Sequence, residues 1–97
     1  MDVTEIVGVT PHQFGRFRQM MDASVGRSAA VHVLRTEWHG ATYRVTAPGV
    51  LAMGRYENGN VHVRVTLSFP ATLLRRQILN DIIRSMREAG CESVRSS

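Results

Sequence analysis

Between Val61 and Phe69 every second residue is apolar: Val61, Val63, Val65, Leu67 and Phe69 alternate without fault against Asn60, His62, Arg64, Thr66 and Ser68. Successive side chains of a strand point to opposite faces, so this run describes a strand with one buried and one wet face. A helix would scatter the same five side chains around its axis at about 100° per residue. Ala41, Tyr43, Val45 and Ala47 repeat the pattern against Thr42, Arg44 and Thr46. Turn signals separate the runs: His39-Gly40, Pro48-Gly49 and Asn58-Gly59. Asn-Gly suits a type I′ hairpin turn, which needs positive φ at both central residues, and Pro-Gly suits a type II turn. Tight turns join antiparallel neighbours. The expectation is a meander of four strands, at about 29–38, 41–47, 50–57 and 60–69.

Two helices flank the meander. Thr10, Pro11 and Gln13 form a Thr-x-x-Gln capping box with proline at the first helical position, and Val9 and Phe14 take the hydrophobic-staple positions. Phe14, Phe17, Met21 and Val25 then recur at helical spacing, and Gly26 supplies a stop. A second helix is expected from Pro70 to Ala89, closed by Gly90, with Leu74, Ile78, Leu79, Ile82, Ile83 and Met86 on one half-cylinder. Val3 to Val9 reads as a first strand. The predicted fold is α+β, an antiparallel β-meander sheet with both helices on one face, in the order β-α-β-β-β-β-α. Residues 1–90 form one domain, with 91–97 a loose, polar tail. Val63, Val65, Leu67, Ile78 and Ile82 are the expected core. An open sheet of this kind leaves edges, which leads us to expect a homodimer.

The 97 residues suit a single domain, and 43% hydrophobic with 21% charged residues argues against disorder. No apolar run is long enough to cross a membrane as a helix. The Met1–Glu5 start has no basic, then apolar, leader pattern, so the expected location is the cytoplasm. Cys91 is the single cysteine, which excludes an internal disulfide and suggests an exposed free thiol. His12, His32, His39 and His62 show no metal-ligand spacing, and no nucleophile elbow, phosphate loop or dinucleotide fingerprint occurs. With no acid/base pair in evidence either, neither catalysis nor a cofactor is expected, and the protein is read as acting by binding.

Two sets of residues are candidates for that binding. Trp38, Tyr43 and Met86 are apolar or amphipathic positions on the strands and the second helix, suited to a ligand or partner in a groove between them. Arg35, Arg44, Arg55 and Arg64 sit one on each meander strand. In a chain of net charge +4 with twelve arginines and no lysine, they form a basic stripe if they share a face. A sheet that binds single-stranded nucleic acid also needs aromatics interleaved with its cations, and Tyr43 and Phe69 fall on the opposite parity.

Trp38, Gly40, Pro48-Gly49-Val50, Gly54, the alternating run to Phe69 and the helix positions Leu74, Ile78 and Ile82 follow one another in an order that resembles the polyhydroxyalkanoic acid system protein family. These are small bacterial proteins encoded near storage-polymer genes. The resemblance covers Trp38 to Ile83 and departs in the first helix, which reads Phe14-Gly15-Arg16-Phe17-Arg18 where the family is alanine-rich. It implies a non-enzymatic accessory role at polyhydroxyalkanoate granules or their proteins, and it carries no functional residues with it. A small apolar-ligand or lipid-binding domain and a weak polyanion or RNA binder are the other two readings.

Overall fold

The computed structural model describes residues 1–96. Its elements are β1 (Asp2–Val9), α1 (Phe14–Gly26), β2 (Arg35–His39), β3 (Thr42–Ala47), β4 (Val50–Glu57), β5 (Asn60–Leu67), α2 (Arg75–Glu88) and β6 (Glu92–Ser96). The strands form one antiparallel sheet in the order β2-β3-β4-β5-β1-β6, and both helices lie on one of its faces, as expected for the α+β class. The hairpin turns use the backbone that their residues permit. Asn58 and Gly59 have φ of 50° and 85°, as a type I′ turn requires, and Gly49 after Pro48 has φ 73°.

Register fixes which side chains share a face. Val61, Val63, Val65 and Leu67 stand opposite Gly8, Ile6, Thr4 and Asp2 on β1, and opposite Tyr56, Gly54, Ala52 and Val50 on β4. Tyr43 and Val45 on β3 continue the row, and Trp38 on β2 pairs with Tyr43. This is the inner face, and Ile6, Val65 and Leu67 are almost wholly buried there. Phe17 and Met21 of α1 and Leu79 and Met86 of α2 pack onto it.

Several expectations shift. The first helix starts at Phe14 with Gln13 in the capping position and no side-chain cap. Thr10 stays with the sheet instead, because its N–H donates to the Gly59 carbonyl at 2.8 Å. Its Oγ1 accepts from the His12 N–H at 3.2 Å and closes a turn ahead of the helix. Residues 29–34 are not strand. Ala30 N–H donates to Ser28 Oγ and Val31 N–H to the Ser28 carbonyl, which curls the chain into a 3-10 turn at Val31–Val33 and delays β2 to Arg35. At the other end of the meander β5 stops at Leu67, and Phe69, expected inside, is 77% exposed. A 3-10 turn at Ala71–Leu74 then precedes α2, leaving Leu74 exposed.

The expected loose tail is also corrected. Ile6 and Val7 of β1 pair with Ser96 and Arg95, so residues 92–96 are a sixth strand and Ser97 lies outside the described residues. The reason is that β1 has a second hydrogen-bonding edge that β5 does not use, and an unpaired edge beside buried Ile6 is costly. Gly8 makes room for it, since a Cβ there would come within 3.2 Å of Val94 Cγ2. Cys91, expected to be exposed, is buried at the junction, and burial pushes its thiol pKa up to about 11.

Candidate functional site: an apolar groove between sheet and helices

The two helices do not cover the whole inner face. The residues expected to seal α2 onto the sheet, Ile78 and Ile82, are only partly buried. They face a groove of about 840 Å³ that runs between α2, α1 and the inner face of β2–β5. Its floor includes Val45, Ala52 and Gly54, where small side chains on adjacent central strands leave space that larger ones would fill. Met86 and Phe17 stand at the inner end, almost fully buried yet part of the lining. Volumes of about 300–1,000 Å³ are typical of small-molecule sites.

Trp38 and Tyr43 make one wall. Their rings stack with centroids 4.3 Å apart, and Trp38 Nε1 donates to Asp22 Oδ1 of α1 at 2.8 Å. Phe14 meets the Trp38 ring edge-on and leans on Tyr56, while Phe17 stacks on Tyr56. Tyr56 is anchored in turn by its hydroxyl, which donates to the His12 carbonyl at 2.8 Å. Arg18 lies over the outer side of this cluster, 5.2 Å from the Trp38 ring. Burial, with a contribution from the nearby Asp22 carboxylate, raises the Tyr43 pKa, so its hydroxyl stays neutral and protonated across the physiological range. Trp38, Tyr43 and Met86, the residues marked for ligand contact, therefore all line one site. Tyr56 and the 29–34 segment also line it, and no sequence motif singles them out. The one signal for Tyr56 is its place on the inward parity of β4 with Ala52 and Gly54.

The polar atoms at the rim are committed to one another. Ser28 Oγ donates to Asp81 Oδ2 at 2.9 Å, and Arg84 bridges Asp81 and Glu88. Ser24 Oγ and Arg27 both donate to Glu88 Oε1. This network ties the end of α1 to α2 and holds the groove's width. No buried side-chain nitrogen or oxygen among the described residues lacks a partner. The wall thus offers a ligand apolar surface and shape, with no spare charge to neutralise.

Hydrogen bonds from Arg27 and Arg84 hold the Glu88 carboxyl at about 2, well below the ordinary carboxylate value. A carboxyl whose pKa is lower in the folded chain stabilises the fold fully above its unfolded value, ~4.3, and loses that contribution as pH falls toward the folded one. We expect Glu88→Gln to lower the melting temperature at neutral pH and the gap to the parent to close as pH drops from that value toward about 2. Melting curves followed by circular dichroism across that range check it. A gap unchanged at the acid end would show that the network is not held by the Glu88 charge.

The arginine stripe has a different setting. Register places Arg35, Arg44, Arg55 and Arg64 together on the outer face, as expected if they shared a side. Arg64, however, is bonded to Glu5, which also meets His62, and Arg55 lies 3.5 Å from Glu57. Arg44 stands opposite Glu37 on β2. Between them lie Leu51 and Met53 but no aromatic ring, because Trp38, Tyr43 and Tyr56 all point inward. The face is a mixed-charge surface without a stacking platform.

No cluster of three potential metal-ligating side chains occurs among the described residues, and no helix among them is long and apolar enough to cross a membrane. No protein-family model and no curated protein matches the sequence.

Proposed function

We propose that this protein is a non-catalytic binding domain for a small, neutral, elongated apolar ligand of acyl-chain character. The observation that carries this reading is the groove of about 840 Å³ under α2, walled by Trp38 and Tyr43 and floored by Val45, Ala52 and Gly54. Ile78 and Ile82 pack against the core yet stay only partly buried, because they also line the groove. Filling it removes apolar surface from water, which is the main source of affinity open to such a site. The resemblance to polyhydroxyalkanoate storage proteins supplies a concrete ligand class to try, medium-chain 3-hydroxyacyl esters, whose aliphatic body suits the lining. An accessory role in polymer storage in the cytoplasm then follows from binding, with acyl transfer left to other proteins.

Trp38 is the only tryptophan of the chain and lines the groove, so its fluorescence reports occupancy directly. Titration with a medium-chain 3-hydroxyacyl methyl ester should change its emission saturably, with a Kd of about 1–100 μM. The matching short-chain ester should bind far more weakly, since each buried methylene contributes about 0.8 kcal/mol. An emission spectrum unchanged up to the solubility limit of the longer ester sinks the proposal.

A further inference from the structure

The large apolar side chains that remain exposed are unevenly placed. Eight are exposed, and five of them, Met1, Val33, Phe69, Leu73 and Leu74, gather at one end of the sheet. That end is where β2 and β4 begin, where β3 and β5 finish, and where Asp2 of β1 pairs with Leu67. It is also the mouth of the groove, whose lining includes Val33, Pro48, Leu73 and Leu74. Three separate segments build it: the 3-10 turn before β2, the β3–β4 turn and the 3-10 turn before α2. The last two are locked together. Ser68 N–H donates to the Gly49 carbonyl at 2.9 Å, and a Cβ on Gly49 would come within 2.9 Å of Ala71 Cβ. Phe69 and Leu73 are thus presented to solvent from a held turn, 77% and 73% exposed.

Charge at this end has one sign in excess. Arg35, Arg75 and Arg76 border the apolar residues, with Asp2 beside Arg75 and with Glu37, itself 2.8 Å from His39, sharing a shallow cleft with Arg35. Asp2 is bonded to Arg75 at 2.8 Å. Arg35 and Arg76 make no ion pair among the described residues, and Asp81, further along α2, is already held by Arg84 and Ser28. Apolar side chains flanked by two unpaired arginines, Arg35 and Arg76, match the interface of an anionic bilayer, where rings and aliphatic chains enter the acyl boundary and guanidinium groups meet phosphates.

We propose that this end of the sheet docks on the surface of an anionic phospholipid bilayer, with Val33, Phe69 and Leu73 inserted and Arg35 and Arg76 at the headgroups. Docked this way, the groove opens toward the lipid, and an apolar ligand reaches Trp38 without crossing water. The inference goes beyond ligand binding and stands or falls separately from it.

Flotation of the full chain with vesicles tests it. Vesicles of equal parts phosphatidylcholine and phosphatidylglycerol should carry the protein, and vesicles of phosphatidylcholine alone should carry at least tenfold less. The bound fraction should fall at least tenfold in Phe69→Ser/Leu73→Ser and again in Arg35→Glu/Arg76→Glu, with melting temperatures held as a control for folding. Val9→Ser, an exposed apolar site at the far end, should bind as the parent does. Val45→Trp, which fills the groove, should also float normally, so that loss of ligand and loss of docking are separate results. No binding to either vesicle, or binding indifferent to both double variants, overturns the proposal. Equal uptake by phosphatidylcholine vesicles or neutral polyester particles would assign the patch to uncharged apolar surfaces instead. A dimer in sedimentation that Phe69→Ser/Leu73→Ser dissolves would assign it to a second copy of the chain.

Discussion

Truncating Leu67 to alanine should lower the free energy of unfolding by about 2–5 kcal/mol, the range for a wholly buried leucine that leaves a cavity behind. Leu67 is 1% exposed and stands between Asp2 of β1 and Val50 of β4, so no neighbour is free to collapse into the space. Ile82→Ala, by contrast, should cost no more than about half as much. Its side chain already borders open volume, so part of its surface is never removed from water and its loss enlarges a space that exists. Denaturant unfolding of the two variants side by side decides the matter. Equal losses would mean that α2 sits flush on the sheet and that the groove is closed in solution.

Val45→Trp should abolish binding of the acyl ester while leaving the fold intact. Val45 is partly buried on the floor of the groove, and its side chain points from β3 into the open space. An indole there occupies volume that the ligand needs. Affinity should drop at least a hundredfold, equivalent to about 2.7 kcal/mol. Overpacking normally destabilises a core by about 1–3 kcal/mol, but here the added ring enters a void, so the melting temperature should be unchanged or raised. Because the variant introduces a second indole, binding is best read by calorimetry. Retained affinity would place the ligand elsewhere on the molecule.

The period-two runs made much of this architecture legible in the sequence, and the places where reading failed share a cause. In β3 and β5 the alternation is reinforced by both neighbours, so local pattern and tertiary register agree. Residues 29–34 also mix small and apolar side chains in a strand-like way. What bends them is Ser28, held by Asp81 from 53 positions away, and nothing near Ser28 announces that contact. The sixth strand is similar, since Glu92–Ser96 has weak strand character and forms because β1 offers an edge. The groove was half visible. Trp38, Tyr43 and Met86 could be marked from their chemistry and position. The cavity itself depends on the volume missing at Ala52 and Gly54, which no hydrophobic pattern registers, because alanine and glycine count as compatible with burial whatever lies above them. The arginine face shows the reverse. Parity placed its four members correctly, yet two of them are met by carboxylates, Arg55 by Glu57 on its own strand and Arg64 by Glu5, whose position opposite Arg64 only the register reveals.

The position of β1 in the sheet also constrains the order in which the chain can assemble. β2 to β5 are neighbours in sequence and can close as successive hairpins, each across a short turn. β1 is made first but lies between β5 and β6, and its pairing of Asp2 with Leu67 must wait until the meander exists. Loops that long are entropically slow to close, so the amino-terminal strand is the last seam of the sheet rather than its seed. During that interval Ile6 and the row Val61, Val63 and Val65 have no partners across the gap. A nascent or partly unfolded chain therefore carries a bare, valine-rich edge, the kind of surface on which two unfinished copies would exchange first strands.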